Sequence, residues 1–239
     1  MNGTLNKGMT VGSIVAADFS KAKVFERLGI DYCCHGSDTL ATACSKQNLN
    51  PDEVLAKLEN SNDSAIVANF SCWPLDLLLD YVLKWHHRNF HLHHEDLLRL
   101  VIKVEGVHGG RHPELHAVKT AVEESFAELD NHFSKEEHVL FPYLYEMYQA
   151  HDEGRQPEPF HCGSIYPPIR QMMLEHDAAG EMWQHIENLT QHFTTPADGC
   201  ASYRLMNEQL RRFYSDLKEH VAIENNLLFP GFLKMEQQQ

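Results

Sequence analysis

The sequence predicts an all-α protein, an antiparallel four-helix bundle preceded by a small helical domain. Three observations carry this. Apolar residues recur at helical spacing through four long stretches. A motif, His132-x-x-x-Glu136 followed by Phe141-Pro142, returns as His220-x-x-x-Glu224 followed by Phe229-Pro230. Each copy is preceded by a helix with an inward histidine, His86 or His176. Residues 72–145 and 168–233 therefore read as one helix pair used twice, and two such pairs with short connections make a bundle.

Taken in order, residues 1–62 form the small unit. Ser20 is placed to cap a helix through Arg27 or Leu28 that Gly29 closes. Asp31 to Gly36 is a turn, and Ser37 or Asp38 caps a short helix to about Gln47. Asn50-Pro51-Asp52-Glu53 is a start signal, with a cap, a proline at the first helical position and acids in the first turn. The polar stretch Glu59–Ser64 marks the boundary, and residues 70–239 form the second domain.

The first bundle helix opens at Ser71–Pro74 and runs to about Glu105, with Leu79, Val82, Leu83 and His86 along one stripe. Residues 106–113 are a loop. The second helix starts at Pro113-Glu114, and Pro142 is expected to kink or end it near Leu140. Residues 150–168, with four prolines, form the longest irregular connection. The third helix spans about Pro168 to Gln191, and the fourth about Cys200 to Leu228, where Pro230 acts as Pro142 does.

A formal net charge of −14 argues against nucleic acid and against an anionic membrane surface as partners. No apolar run approaches the ~20 residues of a spanning helix, and residues 1–20 lack a signal-peptide pattern. A cytoplasmic location is the expectation. There are 17 histidines, so the count alone identifies no site and position has to decide.

Positions i and i+4 lie on one helical face about 6 Å apart, so each motif aims an imidazole and a carboxylate at one point. A single such pair is an ordinary surface feature. Two in register, each preceded by a histidine 44 or 46 residues upstream, point to metal. The candidate ligands are His86, His132, Glu136, His176, His220 and Glu224. His86 is preferred over His87 because it keeps the apolar stripe. Six ligands exceed the needs of one tetrahedral zinc and suit two first-row metals bridged by carboxylates. Mixed imidazole and carboxylate donors favour iron over manganese or zinc, with open positions for oxo, dioxygen or nitric oxide. Glu175 and Glu128 are placed to orient a ligand histidine, and Glu137 is expected to face outward. His91, His93 and His94 read as a histidine-rich surface.

Six cysteines in a chain of this kind read as thiols rather than a disulfide framework. Cys33 and Cys34 follow a helix end and are expected to be exposed, reactive thiols. Neighbouring side chains diverge, so one metal is not easily chelated by both. A sulfur donor, a redox pair or thiols contacting an iron centre remain open. Cys44, Cys72, Cys162 and Cys200 read as packing residues.

Several of these residues together resemble a known family. They are Asp31-Tyr32-Cys33-Cys34 with Gly36, Trp85-His86, Glu136-Glu137, Leu140-Phe141-Pro142, Glu175-His176-Asp177 and Glu224-Asn225-Asn226 running on to Pro230. The chain resembles the repair-of-iron-centres family of di-iron proteins along nearly its whole length. The pattern differs at His35, where a second glycine is common, and at His87, where an acid is usual. The resemblance implies a hemerythrin-like bundle with a non-haem, oxo-bridged di-iron centre held by the same six ligands, Glu136 and Glu224 bridging. It implies that Cys33 and Cys34 are the functional thiols of the N-terminal domain. It also implies repair of iron–sulfur proteins damaged by nitric oxide or peroxide, by iron delivery, with nitric oxide bound or reduced at the centre. Whether the chain is itself an enzyme is left open, as is a homodimer. The competing reading is a hemerythrin-type carrier or sensor of dioxygen or nitric oxide, against which the cysteine domain argues.

Overall fold

The computed structural model describes residues 5–61, 68–161 and 163–238. The chain is all-helical as expected, and the one pairing of extended backbone among these residues is the isolated bridge between Thr10 and Thr39. Two compact units are present, residues 1–78 with 221–239, and residues 79–220. The carboxy-terminal helix thus groups with the amino-terminal segment. Of the polar boundary stretch, residues 62–64 lie outside the described residues, as does Cys162.

In the first unit, α1 (Val11–Ala17) is capped by Thr10, whose side chain accepts from the Ser13 amide. A short 3₁₀ turn at Phe19–Lys21 leads into α2 (Ala22–Arg27). Asp18, not Ser20, is the capping acceptor there, because its carboxylate reaches the Ser20 amide. Gly29 closes α2 at φ 66, a left-handed conformation that costs glycine least. Thr39 caps α3 (Leu40–Lys46), and Asn50 caps α4 (Pro51–Asn60) with Pro51 at its start. The core of the unit is built from Val11, Ile14, Phe25, Leu40 and Leu58. Phe19 meets Phe70 edge-on at 5.0 Å between ring centres.

The long helices are interrupted rather than straight. The first begins with α5 (Leu75–Tyr81), passes through a π segment, π1 (Val82–His87), and continues as α6 (Arg88–His108). The second is α7 (Glu114–Lys135), π2 (Glu136–Leu140) and α8 (Phe141–Asp152). The third is α9 (Tyr166–Leu189), without interruption. The fourth is α10 (Ala201–Ile223), π3 (Glu224–Leu228) and α11 (Phe229–Glu236). Pro142 and Pro230 therefore do not end their helices. Each sits in the first turn after a π segment, where its missing N–H costs nothing further.

Within residues 79–220, α7 packs against both α6 and α9. The core there is aromatic: Phe90, Phe126, Trp183 and Phe213 form a connected cluster. Trp183 is fully buried, and its indole N–H donates to Ser125 Oγ at 2.8 Å, which satisfies the one polar atom of the ring.

Candidate metal centre

The donor set begins at the π segments. A π turn accommodates one extra residue, so the helix beyond it is rotated by about a hundred degrees relative to an α-helical continuation. This rotation decides between neighbouring histidines. His87 brings Nε2 to 3.4 Å from Glu136 Oε2. His86, which the apolar stripe favoured, turns instead toward Asp216 (3.3 Å) and Glu219 (3.7 Å). The donor cluster thus contains His87 where the uninterrupted stripe had placed His86. The sequence did hold a signal for this. His220 and Glu224 follow His132 and Glu136 by 88 residues, and His176 follows His87 by 89.

Two overlapping groups of ligand atoms form in residues 79–220. His132, Glu136 and His176 make one, and His87, Glu136 and His220 make the other, with the atoms of each group within 4.8 Å of one another. Nε2 of His132 and Nε2 of His176 face each other at 3.1 Å. All five residues are buried. Glu136 is fully buried, and neither of its oxygens accepts a hydrogen bond among the described residues. A desolvated carboxylate in that condition is costly on its own. A cation compensates it, and the converging Nε2 atoms offer the lone pairs such a cation needs, so the donor set fits a metal. Glu224 lies one turn beyond His220, at the start of π3, and is fully buried as well.

The far side of the imidazoles is held in turn. His132 Nδ1 meets Glu175 Oε2 at 2.9 Å, which directs Nε2 into the cluster. His87 Nδ1 meets Glu137 Oε1 at 3.0 Å, and His91 Nε2 reaches the same oxygen at 2.9 Å. Glu137 therefore meets two histidines and is only partly exposed to solvent. Its carboxyl is held at about 2, first by the hydrogen bond from His87. That of Glu175 is also held at about 2, first by the hydrogen bond from His132, with Lys135 adding to it at 2.6 Å. His91 belongs to this outer layer, whereas His94 stacks on Phe90 at 4.5 Å and serves packing.

Two cavities border the cluster. One of about 590 Å³ is lined by His86, His93, Phe133, Asp216 and His220. A smaller one of about 260 Å³ is lined by Glu128, His132, Glu175 and His176. Glu128 thus contributes to a cavity wall, while Glu175 orients the histidine.

The cysteines lie in the other unit. Cys33 is buried and Cys34 half-buried, so they are not the exposed pair expected from the sequence. Their sulfurs converge to 3.8 Å because the turn folds both amides onto Asp31 Oδ1, at 2.9 and 3.0 Å. Asp31, Cys33 and Cys34 form a three-donor group, contrary to the divergence expected of neighbouring side chains. The Cys33 thiol is pushed well up, first by its hydrogen bond with Cys34 and then by burial. The loop is held by two residues to which the sequence assigned no role. Asn225 Nδ2 donates to Cys33 O at 3.1 Å, and Asn226 Nδ2 donates to Tyr32 O at 3.2 Å. Asn226 is seated between Gly12 and Gly36, where added β-carbons would lie 2.1 and 2.5 Å from its Oδ1.

Comparison with known proteins agrees with this arrangement. Residues 160–232 match the hemerythrin HHE cation binding domain, and residues 7–62 match a domain of unknown function, DUF542, also called ScdA_N. The chain is 32% identical to a probable iron-sulfur cluster repair protein of Haemophilus influenzae, over 88% of this chain and 90% of that protein. It is 30% identical to the iron-sulfur cluster repair protein YtfE of Yersinia pseudotuberculosis, over 96% of this chain and 99% of that one. This chain belongs to the iron–sulfur cluster repair protein family. The resemblance read from its motifs holds, and with it the helical bundle and a metal-binding centre of buried histidines and glutamates. No described helix is long and apolar enough to cross a membrane.

Proposed function

We propose that this protein repairs iron–sulfur clusters damaged by nitrosative or oxidative stress, by releasing iron held at a two-metal centre to the damaged protein. The convergence of His132, Glu136 and His176 on one point and of His87, Glu136 and His220 on another carries the reading. Glu136, common to both groups, would serve both metal positions. Glu224, from the turn after His220, would add a second carboxylate. The ligand set is then His87, His132, Glu136, His176, His220 and Glu224, with His87 replacing His86. Iron bound there supplies Lewis-acid and one-electron chemistry, including affinity for nitric oxide or dioxygen.

The chain's own groups set how firmly that iron is kept. Glu137 and Glu175 hold the Nδ1 protons of His87 and His132, which keeps Nε2 available as a donor. The 590 Å³ cavity gives a small ligand access past Phe133 and His220. Asp31, Cys33 and Cys34 offer a harder oxygen and two softer sulfurs, a second set of donors able to bind iron.

The test is an anaerobic one. Iron per chain and reactivation of a nitric oxide-damaged iron–sulfur enzyme are measured for the wild type, Cys33→Ala/Cys34→Ala and Glu136→Ala. The expected result is about two irons per wild-type chain, with reactivation lost in both variants. Two irons without reactivation would leave a carrier or sensor of dioxygen or nitric oxide. A folded chain that binds no iron overturns both readings.

A further inference from the structure

A second reactive group lies at the far end of the 79–220 unit. Cys200 occupies the residue before the first turn of α10, and its carbonyl accepts the Arg204 amide at 3.1 Å. Its sulfur faces the backbone N–H groups of Ser202 and Tyr203. Against the same sulfur, at 3.2 Å, stands Nε2 of His108 from the end of α6. The histidine is buried, at 4% exposure, while the cysteine is exposed. Along α10, Cys200 precedes His220 by 20 residues, roughly 30 Å of helix. The pair is separate from the metal centre.

The burial of His108 fixes the proton. Its Nδ1 makes no hydrogen bond among the described residues. A buried N–H without an acceptor costs more than a buried lone pair without a donor. The ring proton therefore belongs on Nε2, where it donates to the sulfur. A sulfur that receives an imidazole N–H at the start of a long helix, with backbone N–H groups of its first turn nearby, is better matched as a thiolate than as a thiol. The nearby acids do not oppose this, because they are already engaged. Asp198 pairs with His112 at 3.0 Å and with Arg111 at 3.4 Å, and Glu114 meets His112 at 3.2 Å. Tyr203 packs its ring 5.4 Å from that of His108. The Cys200 thiol is brought down to about 7, first by the hydrogen bond from His108.

We propose that Cys200, paired with His108, is a modification site that takes up a small thiol from an oxidised low-molecular-weight disulfide of the glutathione class. The thiolate attacks one sulfur of the disulfide. A new S–S bond forms to Cys200 as the original S–S bond breaks, and the departing thiolate takes a proton from water. No further oxidant enters. A thiol titrating near 7 holds about half its population as thiolate at neutral pH, against about 3% for an ordinary cysteine. Lower basicity weakens each thiolate as a nucleophile by about fivefold, so the net gain in rate is about threefold.

The experiment incubates the whole chain with glutathione disulfide and follows each cysteine by peptide mass spectrometry from pH 5.5 to 9. Cys72 is the internal reference, exposed like Cys200 but with Asn69 Nδ2 rather than an imidazole against its sulfur. Cys200 is expected to acquire the adduct with a rate half-maximal near pH 7. His108→Asn is expected to slow it about threefold at pH 7 while leaving Cys72 unchanged. A Cys200 rate that still climbs steeply above pH 8, or one indifferent to His108→Asn, overturns the proposal. Should His108→Asn not fold, the wild-type pH profile decides alone. The measurement reads no iron and no repair, so its outcome is independent of the function proposed above.

Discussion

Each buried histidine of the centre that is gripped at Nδ1 has one nitrogen committed to a carboxylate and the other to the cluster, and that division makes the residue-level predictions sharp. His87→Asn is expected to abolish one metal position, whereas His86→Asn leaves iron binding intact, because His86 faces Asp216 and Glu219. Iron stoichiometry of the two purified variants checks this, and equal losses would return His86 to the ligand set. Removing the charge of an outer carboxylate, in Glu137→Gln, is expected to weaken iron binding by roughly 10–100-fold with the fold retained, as read by chelator competition. Acid acts on the same groups. Both carboxyls titrate lower in the folded chain, at about 2 against an ordinary 4.5. Their contribution is therefore complete above about pH 4.5 and is lost as pH falls toward 2. Both are partly exposed, so each is worth on the order of 1–2 kcal/mol. Denaturant titrations of the metal-free protein between pH 6 and 3 are expected to show the fall in wild type and a flatter profile in Glu137→Gln.

At the level of the helices, the π segments explain what the sequence did and did not disclose. The periodic stripe through Leu79, Val82 and Leu83 identified the helix but assumed a constant 3.6-residue turn, and π1, which ends at His87, breaks that assumption. The same assumption made Pro142 read as a kink or an end, because a proline interrupts a regular helix unless a widened turn precedes it. His132, Glu136, His176 and His220 needed no such knowledge, since each lies within a single regular turn of its neighbours on the stripe. The cysteine loop was legible as a turn, but not its burial, which depends on Asn225 and Asn226 nearly two hundred residues away. That dependence is testable. Gly12→Ala forces a β-carbon against Asn226 Oδ1 and the Gly36 carbonyl. It is expected to cost about 1–3 kcal/mol and to speed alkylation of Cys33, followed by mass spectrometry. An unchanged Cys33 rate in a folded Gly12→Ala chain would show that the asparagine seat does not control the loop.

For the whole chain, the all-helical class and the repeated helix pair were readable because the repeat is long, in register and carries chemistry at fixed offsets. The grouping of 221–239 with 1–78 was not, since nothing local in the last helix distinguishes the part before Val221 from the part after it. Buried donors without a cation are a cost that metal removes, so iron is expected to stabilise the folded chain measurably. At a free iron concentration a hundredfold above the dissociation constant, the gain is about 2.7 kcal/mol. For a chain of this size that corresponds to a rise of roughly 5–10 °C in the unfolding midpoint under anaerobic calorimetry. The increment should vanish on chelation and shrink in Glu136→Ala. A midpoint indifferent to iron would mean that the cluster does not bind it in the folded state.

The seat of Asn226 between two glycines has a consequence for descent as well as for stability. Gly12, Gly36 and Asn226 fill one another's space, so they form a triplet that cannot drift independently. A lineage that shortens Asn226 to serine or alanine would release both glycine positions from their steric constraint, and side chains would be free to accumulate there. A lineage that keeps the asparagine should keep both glycines. Counting the combinations across related genomes would reveal this contact as a statistical shadow, even in members whose three-dimensional structure has never been determined.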